Sequence, residues 1–318
     1  ELSPMYHQII LDRLLDCVNL LQNNKVFDDQ GQLLELFRLK AAGMLIWINN
    51  ISFPDGRISH FNDSSDKIAP TTSQLNEYAL RLGLVNDKEL AGFKFGGAKH
   101  HLIESGYYQF GGSLWQCIFD AGQTGPDYQP GHAHADTFTF VLDLKGKPLI
   151  VDTGVSTYEK NSRRLFERGT AAHNTVQVND TDSSEIWSGF RMGRRARVTI
   201  IRADDKSVVA SHNGYRHLGI IHERELTAGE NVITINDRLT GERQYPAISR
   251  FHFHPEVELS QEKDSIFYKG GCLTFKDYDK ITIKDYLFSR GFNDLIPGKV
   301  VEVTFHGNMQ SNFNLASN

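Results

Sequence analysis

Thr137-Phe138-Thr139-Phe140-Val141-Leu142-Asp143-Leu144 alternates along an extended chain, Lys145-Gly146-Lys147 breaks it, and Pro148 to Val151 returns as an apolar run. A period of two sends alternate side chains to one face, and a Gly-containing break between two such runs makes an antiparallel hairpin. The pattern recurs downstream in Asn174 to Val178, Arg197 to Ile201, Val208 to His212, Asn231 to Asp237, Ile248 to His254 and Val300 to His306, with Gly, Asn and Asp between them. About ten or more short strands without intervening helices predict a large two-layered antiparallel β-sandwich from about residue 105 onward.

Upstream the period changes. Ile10, Leu14, Val18 and Leu21 recur at helical spacing, as do Leu33, Leu34, Phe37, Ala41, Met44, Leu45 and Ile48. A third helix is announced by Pro70-Thr71-Thr72-Ser73, carries Leu75, Tyr78, Ala79 and Leu82, and stops at Gly83. The expected class is therefore α+β multidomain, with a helical domain over 1–104 and a β-sandwich domain over 105–318. Such helices are either an autonomous bundle or the last turns of a larger toroid. The chain opens without an initiator Met and enters an amphipathic helix almost at once, so the reading is a piece of a longer protein.

Of the 318 residues 40 % are apolar, enough for sizeable cores, and the net charge is −5. That balance predicts neither nucleic acid nor a membrane surface as partner. No apolar run approaches the ~20 residues of a membrane span. Cys17, Cys117 and Cys272 are far apart and odd in number, which argues against a disulfide framework.

The densest polar constellation is Gly131-His132-Ala133-His134-Ala135-Asp136. In an extended chain its two histidines and its aspartate share one side, and the alanines leave room for a ligand. Val151-Asp152-Thr153-Gly154 and Thr170-Ala171-Ala172-His173-Asn174-Thr175 are candidates to complete a metal site, because two imidazoles and a carboxylate suit Zn²⁺. A straight hairpin would place Asp152 opposite Phe140, on the order of 20 Å from His134, so a shared metal requires the His-rich segment to fold back. Arg163, Arg164 and Arg168, with Arg191, Arg194, Arg195 and Arg197, either line an anion-binding cleft or pair with Glu167, Asp182 and Glu185. Trp115, Trp187, Tyr107, Tyr108 and Tyr158 are aromatic surfaces suited to a sugar ring or to a core.

Taken together and in order, Glu1-Leu2-Ser3-Pro4-Met5-Tyr6-His7, Phe53-Pro54-Asp55-Gly56-Arg57, Phe61-Asn62-Asp63-Ser64, the His-rich segment, Val151-Asp152-Thr153-Gly154 and Arg168 to Thr175 resemble the heparinase II/III-like polysaccharide lyases. The resemblance is close over residues 1 to 200. It implies the end of an incomplete (α/α) toroid followed by a β-sandwich. It also implies β-elimination on a uronic-acid-containing glycan: loss of the C5 proton, departure of the 4-O-linked group and an unsaturated product. By resemblance Tyr6 is the acid, and the base for one C5 epimer, and His132 is the imidazole base or its partner. His7, Arg163, Arg164 and Asn174 contact the anionic polysaccharide, and His134, Asp152 and His173 hold a site-organising Zn²⁺. The family's carboxylate neutraliser has no counterpart here and is expected ahead of residue 1. A periplasmic or secreted location is the expectation, and a homodimer is left open. Two other functions remain compatible with the same residues. One is uronyl C5-epimerisation; the other is a non-catalytic glycan-binding or assembly role in polysaccharide export.

Overall fold

The computed structural model describes residues 2–25, 27–86, 88–89 and 101–315. Three helices come first: α1 (Pro4–Asn23), α2 (Gln30–Asn50) and α3 (Thr72–Arg81). Ser3 caps α1 by accepting the Tyr6 amide, and Thr71 and Gln74 form a capping box at α3. Gly83 supplies the left-handed turn (φ +66°) that leaves α3. The buried stripe of α1 is Met5, Gln8, Leu11, Leu15, Val18 and Leu21, whereas Ile10 is 57 % exposed. The expected stripe was therefore one residue out of phase in its first half. Ile10 with Leu14, and Leu11 with Leu15, keep the same helical spacing on adjacent faces, and only the packing partner decides between them.

Two antiparallel sheets follow. The first runs β1 (His101–Leu102), β2 (Tyr107–Gly111), β3 (Trp115–Asp120), β4 (Phe140–Leu144), β5 (Lys147–Ile150), β13 (Ala247–Phe253), β18 (Asp294–Phe305), β17 (Lys280–Gly291), with β6 (Val176–Val178) also paired to β13. The second runs β14 (Ser260–Glu262), β15 (Ser265–Tyr268), β16 (Gly271–Lys276), β19 (Asn308–Leu315), β12 (Val232–Thr240), β11 (Ile221–Ala228), β10 (Ser207–His212), β9 (Val198–Ala203). A small hairpin, β7 (Ile186–Ser188) with β8 (Arg191–Met192), and a short helix, α4 (Ser162–Arg168), lie in the connections.

The main core fills the space between the sheets. Phe140 and Phe251 of the first meet Phe313 of the second edge-on, each with ring centroids 5.8 Å away. A second core lies on the other face of the first sheet, where α1, α2, α3 and the loop after α2 cover Tyr107, Ile118 and Val141. This explains why every residue of β3 is buried: one face meets the sandwich partner and the other meets the helices.

The stretch from Thr137 to Val151 forms its hairpin, but later than the alternation implied. β4 begins at Phe140 and not at Thr137. The Thr139 amide bonds to the Asp136 carbonyl in a turn, and Phe138 adopts φ +70°. That turn folds the His-rich segment back, which is the condition the sequence set for a shared site.

Candidate active site

The site is built around Asp63. Its loop is fixed from several sides: Asn62 takes a left-handed conformation (φ +56°), the Asp63 amide donates to the His132 carbonyl at 3.0 Å, and Ser3 Oγ donates to the Asp63 carbonyl at 2.6 Å. Because Ser3 is also the α1 cap, the same contacts bring Tyr6, in the first turn of that helix, beside His132. The Asp63 carboxylate, fully buried, accepts from His132 Nδ1 at 2.9 Å, His134 Nε2 at 2.8 Å and both terminal nitrogens of Arg164 at 2.5 and 2.7 Å. Burial would raise its pKa, but these hydrogen bonds prevail and hold it below the usual carboxylate range.

An ionised Asp63 accepts only, so His132 carries its proton on Nδ1 and, when neutral, keeps the lone pair on Nε2. The His132 ring lies 4.2 Å from that of Tyr6, and the Tyr6 hydroxyl is 3.2 Å from the Tyr158 hydroxyl. Tyr158 lies over the Arg164 guanidinium at 4.9 Å; burial pushes its phenol pKa up. Phe190, at the tip of the β7–β8 hairpin, meets the His132 ring edge at 6.0 Å and is 39 % exposed. The result is a phenol and an imidazole side by side, one wall aromatic, with a buried carboxylate behind the imidazole.

The same proton logic applies one layer deeper. His134 gives its Nε2–H to Asp63, and His173 gives its Nδ1–H to Asp152 at 2.7 Å. That leaves lone pairs on His134 Nδ1 and His173 Nε2, and both atoms are buried without a hydrogen-bond partner. The two rings are 5.3 Å apart. Among the described residues His134, Asp136 and His173 form a buried group whose ligand atoms all lie within 4.8 Å of one another. Two unpartnered lone pairs beside a carboxylate fit a borderline-soft cation such as Zn²⁺. Asp136 lies within this group, and Asp152, expected from the sequence beside the two histidines, is hydrogen-bonded to His173 Nδ1. Burial works against the charge on both imidazoles. It prevails at His134, whose pKa is lowered, while Asp152 outweighs it at His173 and raises that pKa.

The Heparinase II/III-like, C-terminal family model matches residues 96–316. The chain belongs to this family. Solved structures with the same fold include Heparinase III, 15 % identical with a TM-score of 0.78 over 99 % of this chain and 54 % of that one. Another is the heparan sulfate lyase HepC of Pedobacter heparinus, 17 % identical with a TM-score of 0.73 over 100 % and 52 %. The chondroitin AC lyase of Streptomyces coelicolor is more distant, at 9 % and 0.53 over 98 % and 52 %. A curated relative, FtsZ-localized protein C of Caulobacter vibrioides, is 30 % identical over 192 residues, which is 52 % of this chain and 33 % of that protein. The heparinase II/III-like chain therefore spans about half the length of these solved structures and a third of the curated relative. At such identities the solved structures establish the fold.

Within this family chain, the residues expected to meet substrate are placed unequally. Arg164 and Asn174 are sealed inside. Arg164 is committed to Asp63 and the Gly189 carbonyl, and the Asn174 amide to the carbonyls of Phe140 and Val151 and to the His252 amide. Both hold the site's frame and present no free group. Arg163 binds Glu167 at 2.8 Å and the Leu287 carbonyl, and His7 stacks on Trp47 at 4.3 Å while bonding the Met44 carbonyl. Burial lowers the His7 pKa to about 4. Most of the clustered arginines are likewise engaged, while Arg191 is exposed and lies over the Trp187 ring at 5.6 Å. Arg168 donates to the carbonyls of Ala133, Ser188 and Arg191, Arg195 and Arg197 share Asp127, and Arg194 bonds the Gly214 carbonyl. Asp63 and Phe190 are the site positions that reading by type passed over, whereas Tyr158 was among the aromatic candidates. Asp63 stood in a quoted motif, but nothing local announces that it meets residues 69 and more positions away.

Proposed function

We propose that this chain carries the proton-transfer part of a polysaccharide lyase that cleaves a uronic-acid-containing glycan by β-elimination. The observation that carries the reading is the Tyr6–His132 pair: two groups able to exchange protons, in ring contact at 4.2 Å, with the imidazole oriented by a buried carboxylate. In this reading His132 Nε2 removes the C5 proton, or, for the opposite C5 epimer, His132 Nε2 first takes the Tyr6 hydroxyl proton and the resulting phenolate removes the C5 proton. The C5–H electrons form the C4–C5 double bond, the C4–O bond breaks, and the Tyr6 hydroxyl gives its proton to the departing oxygen. The imidazolium that forms lies against Asp63, which stabilises it without taking the proton. Phe190 and Tyr158 offer apolar surface to a sugar ring. Zn²⁺ is the proposed resident ion of His134, Asp136 and His173; when bound it supplies fixed positive charge that organises the His-rich segment. The three helices are, in the same reading, the end of an (α/α) toroid over 1–104, joined to the sandwich over 105–318.

The test is near-ultraviolet absorbance of the unsaturated product. The protein is incubated with heparan sulfate, heparin, alginate and hyaluronan, beside Tyr6→Phe and His132→Ala variants checked for folding. A rise with one glycan that both variants lose supports the reading and names the substrate class. Exchange of solvent deuterium at C5 without any rise would replace elimination by epimerisation. Binding without either signal would leave the glycan-binding role.

A further inference from the structure

We propose that Arg224, on β11 of the second sheet, is a positioning residue that sets the spacing between the two backbone segments carrying His134–Asp136 and His173. One nitrogen does the spanning. Arg224 Nη1 donates to the Phe138 carbonyl at 2.8 Å and to the Asn174 carbonyl at 2.8 Å. Phe138 lies two residues past Asp136, and Asn174 directly follows His173. The two arms of the candidate cation site are therefore tied to the same atom, from the opposite sheet, by charge-assisted bonds.

That atom is itself fixed. Arg224 Nε and Nη2 grip Asp237 at 2.7 and 2.9 Å, and Nη2 reaches Ser249 Oγ at 3.4 Å. Asp237 is held in turn by His222 Nε2 at 2.7 Å, and His222 Nδ1 by His212 Nε2 at 3.0 Å. The Gly214 amide donates to His212 Nδ1, so in the neutral rings each imidazole passes its single N–H along the row towards Asp237. Phe138, in its left-handed turn, packs its ring on His212 at 4.9 Å and His222 at 5.4 Å. All four polar residues of the row are buried. The proton-transfer scheme uses none of them. A planar fork is required, because a lysine in this place has one nitrogen and cannot hold Asp237 with two bonds while bridging two carbonyls.

The spacing claim stands without a metal; only its consequence for Zn²⁺ affinity rests on the function proposed above. The variant is Arg224→Lys, with Arg202→Lys on β9 of the same sheet as control, since Arg202 is 58 % exposed. Amide hydrogen exchange is followed on the whole chain, and affinity for Zn²⁺ alone is measured by competition with a chromophoric chelator. The expected result is faster exchange, about tenfold, confined to the segments around 132–138 and 171–176. Zn²⁺ affinity is expected to fall on the order of 10–100-fold, the scale for losing an outer-shell support. Exchange unchanged from the control would overturn the proposal. So would exchange raised evenly across β9 to β12, which is what a merely structural residue would give. If the unaltered protein binds no Zn²⁺, the metal assignment fails while the exchange data still decide the clamp. Should Arg224→Lys not fold, His222→Gln removes one support of Asp237, keeps the guanidinium, and must show the same two segments loosened to a smaller degree.

Discussion

Asp63→Asn is the substitution whose consequences are largest. The amide has nearly the shape of the carboxylate, so packing is preserved and the effect is electrostatic. It replaces one acceptor oxygen by a donor facing donors, where His132, His134 and Arg164 all give hydrogen bonds to the native group. Arg164, whose side chain is fully buried, then loses its counter-ion. Removing one partner of a buried pair costs about 3–5 kcal/mol, because the other charge stays desolvated. The loss should appear in urea unfolding at pH 7 as a lower midpoint at unchanged slope. Asp127→Asn is the control: that carboxylate binds two arginines but sits in solvent, and no measurable shift is expected. Chemically, His132 loses the acceptor that keeps its proton on Nδ1. Turnover in the absorbance assay should fall about 10³–10⁴-fold, the scale for losing the carboxylate that sets an imidazole's tautomer. A variant within about 1 kcal/mol of the parent, with the His132 ring nitrogens unchanged by NMR, would refute the hub role of Asp63. The pKa of Asp63 adds a pH signature. Being held below the carboxylate range, it contributes stability that is complete above about pH 4 and is lost as the pH falls further.

Three further outcomes are expected. Leu11→Ala should destabilise by about 2–5 kcal/mol, while Ile10→Gln should stay within about 0.5 kcal/mol, because Leu11 is fully buried and Ile10 is not; equal effects in thermal unfolding would restore the other phase of α1. His7 is kept neutral by burial with its pKa lowered from 6.5 to about 4, so the unfolded chain binds its proton first and stability should fall as pH drops from 6.5 towards 4; His7→Gln should flatten that part of the profile. Zn²⁺ at 100 times its dissociation constant should stabilise the fold by about 2.7 kcal/mol. A chelator should remove that gain, and His173→Ala should abolish it; a metal-dependent shift that survives in His173→Ala would move the ion elsewhere.

The family and the order of helices before strands were legible because both are local or linear properties. Period, the run Pro70 to Ser73 ahead of α3, and the sequence of motifs survive without any knowledge of packing. The long strands β17 and β18 were less legible. Their exposed positions mix apolar and polar residues, Leu287 and Leu295 among them, and only the end of β18 carries a run apolar enough to stand out. The late start of β4 was hidden for another reason. Thr137 to Thr139 alternates like a strand, and the turn that overrides it exists because Phe138 is wedged against His212 and His222 of the opposite sheet.

The sequence by itself determined the antiparallel β class, the preceding helices and the family, and it marked Tyr6, His132, His134 and His173 as a set worth joining. Only the tertiary structure decided what each of them touches. It put Asp63 behind His132 and His134, set Asp152 against His173, brought Asp136 beside His134 and His173, and buried Arg164 and Asn174 in the frame of the site. The physical reason is that a side chain's chemistry depends on which of its atoms already have partners. Those partners here come from residues tens to hundreds of positions away, joined by the closing of two sheets and three helices around one buried carboxylate.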